Sequence, residues 1–586
     1  MLIHTDGGVM SRRCTFGPAR CIGLIGAALA TGVVLAHPDD VPHGEGLKPY
    51  TGPGFIDGLP EEAGTQFPSS GMMLRSWLTL GDMDGSATTG NDCWGYTAGA
   101  RKYAIMGHSA GTTFVEITDP DSPDVVATLA GPTSTWRDIK TFGNHAYAVS
   151  EGGGGIQVFN LSLINSGFVT QNASVTSGGT TGTHNVAIDT TSGFLYRCGG
   201  GNNIGLRIYT LANPGAPVFV GQWNDRYVHD AQVVTFTSGP YAGRQIAYCC
   251  SGLGNGSIDT GFDIVDVTDK QNIQVLANIS YPDNEYSHQG WLSPDRRYFY
   301  LGDELDEGDV VLNTRTIVIN VEDIDNPFVV GEFINESTAI GHNLYTIGPW
   351  IFEANYRSGV RVFDATDPEA PVEAAYFDTY PANDSALFSG LWSVYPFFND
   401  GTVIGSDIQR GLFVWTMPEM FLRFEFPSGI PGSIASSGAA IPVRITETAG
   451  VLAPGSAMLH YDNGAGFVSV AMTDLGGGDF EAVFPAAPCA GPIAFYFTAQ
   501  TTDGATIAYP AGAPGAANSL LMAACDPNVA GDLDGDGDVD VDDLNFLLGL
   551  WQAVVPPGSG ADLTGNGVVD VDDLNIVLGN WGAIAP

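Results

Sequence analysis

GVRVFDATDPEAP, residues 359–371, joins a glycine, a β-branched and aromatic run, an aspartate and a proline-closed turn. Val and Phe favour a pleated, half-buried strand. Asp and Pro then stop the ladder and turn the chain. The same phrase recurs as FVEITDPDSP from Phe114, IQVFNLSL from Ile156, LRIYTLANPGAP from Leu206, FDIVDVTD from Phe262, TIVINVEDIDNP from Thr316 and LFVWTMPE from Leu412. Five of the seven copies follow a glycine directly: Gly155, Gly205, Gly261, Gly359 and Gly411.

A second marker precedes each phrase, usually by 18 to 22 residues: Trp94, Trp136, His184, His229, His288, His342 and Trp392. Between marker and phrase lies another short apolar run, such as AYAVSE, YFYLGDE or WIFEANY, and after the phrase comes an outer run such as PVEAAYFD. Four short strands in units of about 42 to 59 residues are the signature of propeller blades. Seven units predict a seven-bladed ring over residues 72–420. The seventh unit lacks its outer strand, and MMLRSWLTLGDM from Met72 has the form of one. Pairing the two ends would close the ring and remove an exposed edge.

Inner strands line a propeller's channel, so the markers should gather at one mouth. His184, His229, His288 and His342 come from consecutive units, with Asp230 beside His229. Glu151, Asp303, Glu304, Glu353 and Asp407 follow on the next strand or at its end, and Arg357 and Arg410 hold matching places before Gly359 and Gly411. Imidazoles with carboxylates can hold a transition metal or transfer protons. The arginines could take an anionic ligand or pair with the acids. Hydrogen bonding between blades is the competing structural role, and His108 and His145 fall outside the equivalent positions. No Ser-His-Asp set, G-x-S-x-G or HExxH stands in the chain, so no catalytic residue is assigned.

NDCWGY from Asn91, STWRDIK from Ser134, the GTHN of His184, YVHDAQ from Tyr227 and YSHQGW from Tyr286 extend the pattern. DELDE from Asp303, NTRT from Asn313, HNLY from His342, ANYRSG from Ala354, YFDTYPAND from Tyr376 and SDIQRGLFV from Ser406 extend it further. In these motifs the chain resembles the choice-of-anchor B family, whose propellers carry LVIVD-type repeats. The resemblance spans roughly residues 70–416, with Cys93 standing where an aliphatic residue is expected. It implies an extracellular domain joined to a variable anchoring device and names no reaction.

Two acidic loops 30 residues apart supply such a device: DLDGDGDVDVDD from Asp532 and DLTGNGVVDVDD from Asp562. A calcium loop takes oxygens from positions 1, 3, 5, 7 (carbonyl), 9 and 12, with Gly at 6 where the chain bends. Loop one offers Asp532, Asp534, Asp536, Asp538, Asp540 and Asp543; loop two offers Asp562, Thr564, Asn566, Val568, Asp570 and Asp573. Position 12 is Asp in both, and each loop enters one short apolar helix. This doubled pattern, about residues 528–583, resembles the F-hand repeat of type I dockerins, which implies two calcium ions and a cohesin-like or other surface-protein receptor. With 12 Asp and no Lys or Arg between Asp526 and Pro586, calcium should order the segment.

Between repeats and tail, residues 421–525 alternate strands with turns and predict an immunoglobulin- or fibronectin-like sandwich serving as a spacer, flanked by Gly/Ala/Pro segments that look like linkers. Residues 1–36 fit a signal peptide and residues 37–71 an N-terminal extension, with Sec and twin-arginine export both open. Six cysteines remain after cleavage, of which Cys489 and Cys525 are the expected disulfide. A balance of 22 Lys and Arg against 65 Asp and Glu, net -43, excludes nucleic acid and anionic membrane surfaces as partners. No later segment could span a bilayer.

The whole reads as a mainly β, secreted, bacterial cell-surface protein whose propeller binds a partner, a carbohydrate or a small molecule. The alternative is an extracellular enzyme, metal-dependent or a hydrolase linked to polysaccharide breakdown, working at the His/acid mouth. A transition metal in the propeller belongs to that reading.

Overall fold

Strand-turn phrases of this kind fold into antiparallel meanders, and the computed structural model is built from them. It describes residues 49–52, 54–55, 67–200, 205–251, 260–308, 310–417, 419–435, 438–462, 466–484, 492–502, 504–510, 513, 519–524 and 529–584. The signal peptide expected at 1–36 and the Cys489–Cys525 pair lie outside these residues.

Seven successive antiparallel sheets occupy residues 69–416. Their first strands are Gly90–Ala98, Arg137–Phe142, Asn185–Asp189, Asp230–Thr235, Ser287–Leu292, Leu344–Ile347 and Leu391–Tyr395. Each first strand lies against that of the next sheet, and Leu391–Tyr395 lies against Gly90–Ala98, so the series comes round on itself in a propeller-like arrangement. The second strands His145–Ser150, Gln245–Ser251, Tyr298–Asp303 and Thr402–Asp407 are buried at every residue. Their continuous apolar runs reflect sheets covered on both faces.

The hydrophobic clusters sit between consecutive sheets. Tyr103, Phe114, Ala146 and Phe159 fill the space between the first and second, and Ile246, Phe262, Phe299 and Ile317 that between the fourth and fifth. Each fully buried Phe or Ile side chain among them contributes about 1.5–3 kcal/mol.

The recurrent glycine has a steric cause. A Cβ at Gly155, Gly205, Gly261 or Gly359 would come within 3.0 Å of a carbonyl oxygen of the outer segment, from Val175, Trp223, Ile279 or Phe377 respectively. Gly111 meets Leu129 in the same way. At Gly411 the obstructing carbonyl belongs to Leu78, near the start of the described chain. The strand Met73–Leu78 is therefore the outer strand of the seventh sheet, antiparallel to Gly411–Thr416, with Met73 opposite Thr416 and Leu78 opposite Leu412.

Residues 422–524 form two further sheets. Leu422–Glu425, Ala439–Glu447, Asp479–Phe484 and Thr473–Gly476 make one; Ser433–Ala435, Ser519–Ala524, Pro492–Gln500, Met458–Asp462, Val468–Ala471 and Thr506–Tyr509 make the other. Ile441, Val443 and Phe480 of the first pack with Leu459, Phe495 and Phe497 of the second. That core continues through Phe421, Met420 and Met417 to Trp415 and Trp350 of the sheet array, and Trp350 Nε1 donates to Met420 O at 2.8 Å. The junction is therefore a buried one, made by the large apolar side chains of Trp415, Met417, Met420, Phe421 and Leu422.

In the tail, helices Val541–Gly549 and Val571–Gly579 each follow an acidic loop. Val539, Leu547, Ala561, Val569 and Val577 form their shared core.

Candidate functional site

The four marker histidines sit where their inner strands begin. In the fifth sheet Ser287 pairs with Asp303 and Gln289 with Gly302, so a bulge leaves His288 out of the ladder. Trp392 is displaced in the same way in the seventh. In the first sheet Gly90 pairs with His108 and Cys93 with Met106, so Asn91 and Asp92 occupy the bulge. Trp94 is therefore not the equivalent marker; it lies further along the strand, 5.0 Å from Tyr395 and 5.7 Å from Tyr345 between ring centroids.

The displaced imidazoles form a continuous row. Ring centroids are 4.2 Å apart for His184 and His229, 4.1 Å for His229 and His288, and 4.4 Å for His288 and His342. His184 Nδ1 lies 2.7 Å from Glu151 Oε1. Glu304 reaches two rings, with Oε2 3.3 Å from His288 Nε2 and Oε1 3.4 Å from His342 Nε2. Tyr356 donates its hydroxyl to Glu304 Oε1 at 2.8 Å. Burial holds the Glu304 carboxyl up at about 8, against the Tyr356 hydrogen bond, and burial holds the His342 imidazole down at about 3. A neutral His342 ring and a reluctant acid thus face one another in a buried layer.

The other predicted groups are employed elsewhere. Asp303 accepts from Tyr281 Oη and from the amides of Glu285, Tyr286 and Leu305, so it braces the loop before the fifth sheet. Glu353 accepts from Thr316 Oγ1 and Asn355 Nδ2. Asp407 accepts from Thr379 Oγ1 and from the amides of Gln409 and Arg410. Arg357 donates to Asn383 and Ser385 and covers the Tyr380 ring, while Arg410 lies over Tyr50, Phe67 and Trp77. Neither arginine pairs with the row's acids in any of these contacts.

One buried cluster escaped the sequence reading. Lys140 Nζ lies 2.6 Å from Asp138 Oδ1 and 3.2 Å from Asp92 Oδ2, over the Trp94 ring. Burial raises Asp92 well above the usual carboxylate range despite Lys140, whereas at Asp138 the Lys140 charge and the Asp92 hydrogen bond overcome burial. Asp230 belongs with this group: burial first, then the Asp138 charge, brings it to about 7. Asp92 also accepts from Ile139 N and Asp138 from Val186 N, each tying one sheet to the next. The signal was present in NDC and RDIK, an acid two residues before a lysine on an inner strand. Beside it, Trp94, Lys140, Asp230, Gln232 and Trp291 line a cavity of about 450 Å³.

Both acidic loops are closed by their own backbone. Gly537 and Gly567 take φ of 92° and 86°, as position 6 requires. Asp532 accepts from Gly535 N and Gly537 N, and Asp562 from Asn566 N and Gly567 N. The position-12 residues Asp543 and Asp573 are fully buried and cap their helices by accepting from Asp540 N and Asp570 N. Asp532, Asp534 and Asp536 bring oxygens together, as do Asp538, Asp540 and Asp543. Thr564, Asn566, Val568 and Asp570 take the corresponding places in loop two.

No family model matches the sequence, and no curated protein is found to resemble it. Among solved structures, a Lactobacillus plantarum protein aligns at TM-score 0.39 and 13% identity, over 51% of this chain and 84% of its own. The computationally designed Ika8 protein aligns at 0.37 and 10%, over 63% and 98%. U3-55K aligns at 0.36 and 8%, over 54% and 92%. Among the described residues no helix is long and apolar enough to cross a membrane. Cys93, Cys198, Cys249 and Cys250 are buried thiols, pushed up by burial.

Proposed function

We propose that the chain is a secreted, cell-surface-associated binding protein of the choice-of-anchor B type. On this reading a seven-bladed propeller is presented on an immunoglobulin-like sandwich and attached through a dockerin-like module holding two calcium ions. The observation that carries it is a duplicated apolar face on the tail. Leu548 and Leu578, each 49% exposed, occupy the same place in the two repeats, as do exposed Val541 and Val571, and Trp551 and Trp581. Six such side chains on so small a unit leave an apolar surface that a protein partner would cover. Flanking acids supply no basic groups for nucleic acid or anionic lipid.

The test is capture of the full chain on immobilised cohesin domains. Binding should require calcium, fall with chelator, and be lost in a Leu548→Glu/Leu578→Glu variant that still binds calcium. No calcium uptake, or no capture by any of a panel of cohesins, would overturn the reading.

A further inference from the structure

The histidine row carries an inference independent of how the tail docks. His229 Nδ1 lies 2.8 Å from the backbone carbonyl of His288, and His342 Nδ1 contacts that of Trp392. A carbonyl can only accept, so each Nδ1 carries the proton and each Nε2 presents a lone pair. His184 repeats the device with a carboxylate, through Glu151. Fixing one ring nitrogen on a carbonyl or carboxylate is how proteins orient imidazoles toward a metal.

One of these lone pairs, that of His342, then meets another acceptor. His342 Nε2 faces one oxygen of Glu304, and His288 Nε2 the other. His342 Nε2 and Glu304 Oε1 are thus two acceptors in contact, 5% and 2% exposed, and need a proton or a cation between them. Donor atoms from His229, His288 and Glu304 all lie within 4.8 Å of one another. Bonds of about 2.0–2.2 Å set tetrahedral ligand atoms about 3.4 Å apart, and His288 Nε2 and Glu304 Oε2 already stand 3.3 Å apart. Tyr356, bonded to Glu304 Oε1, supplies the outer hydrogen bond that ligating carboxylates commonly have.

We propose that His229, His288 and Glu304 bind a single divalent transition-metal ion of the zinc class. Imidazole nitrogen with one carboxylate suits zinc and its neighbours, whereas the oxygen-only tail loops suit calcium. The two metals are therefore separable by chemistry as well as by position.

Elemental analysis of the full chain, purified without chelator in calcium-containing buffer, should find a transition metal at one ion per chain. Cobalt added to metal-stripped protein should give visible d–d bands that zinc abolishes. Glu304→Gln, nearly isosteric, should weaken cobalt binding more than about 10- to 100-fold, and Tyr356→Phe by about 10-fold. Far-UV circular dichroism and unchanged calcium uptake would report that both variants are folded. A folded wild-type chain without transition metal and without cobalt bands would overturn the proposal, leaving a proton-linked hydrogen-bond network. So would a Glu304→Gln variant that binds cobalt as well as wild type.

Discussion

Trp77 of the N-terminal strand stacks on Phe413 of the seventh sheet, with ring centroids 5.2 Å apart and planes 4° from parallel. Its Nε1 donates to Arg410 O at 2.7 Å, and Phe67 packs edge-on against both rings. The two ends of the sheet array are held together there by burial and pairing rather than by a covalent link. Trp77→Ala should cost about 3–5 kcal/mol, seen as a lower urea midpoint. A chain begun after Leu78 should aggregate, because Gly411–Thr416 would be left as an open edge.

Lys140 is the cation that makes the Asp92, Asp138 and Asp230 layer tolerable. Lys140→Met removes it while leaving the ionised Asp138 buried, and should destabilise by about 3–5 kcal/mol. Adding Asp138→Asn should recover part of the loss, since no charge then remains uncompensated at that position. A double-mutant cycle by chemical denaturation reads the coupling; strict additivity would show that the lysine and the acid do not act as a unit.

The sheet series was legible because each phrase carries its own punctuation: Gly where an outer carbonyl presses, Asp and Pro where the strand stops. The meeting of the histidines followed from their equal places in successive units. Trp94 misled because a bulge inserts residues before it, and spacing alone does not reveal a bulge. The split between Asp303 and Glu304 was equally hidden. The strand ends at Asp303, so Glu304, the first residue past it, reaches the imidazoles while Asp303 turns back to its own loop. The buried junction was hidden for a different reason, since Met417, Met420 and Phe421 have a core to join that only the assembled sheets create.

Glu353 gives the array a signature in pH. Burial raises its carboxyl to about 7 from the ordinary 4.5, against hydrogen bonds from Thr316 and Asn355. Between those values the folded chain holds a proton that the unfolded chain has released, so stability falls as pH rises. The contribution is fully present below about 4.5 and lost through about 7. Glu353→Gln should remove this component, worth about 3 kcal/mol at most, and leave the variant more stable than wild type at pH 8. Urea midpoints across that range decide it; a wild type whose stability rises relative to the variant toward pH 8 would contradict the raised value.

In the tail each acidic loop, besides its own backbone closure, is bonded to the other repeat. Val539 N donates to Ala583 O at 2.9 Å and Gly582 N to Val539 O at 2.7 Å. The second loop mirrors this, with Val569 N on Ala553 O at 3.0 Å and Gln552 N on Val569 O at 2.8 Å. Ordering loop one therefore fixes the exit of the second helix, and ordering loop two fixes the exit of the first. Two sites that share backbone in this way should bind with positive coupling, of about 1–3 kcal/mol or about 5- to 150-fold in affinity. Asp532→Ala should abolish one calcium event in titration calorimetry of the full chain and also weaken the remaining event at loop two. Asp562→Ala should do the converse, because coupling between sites is reciprocal. If each variant left the surviving site at its wild-type affinity, the exchanged backbone pairs would be structural closures without communication between the loops.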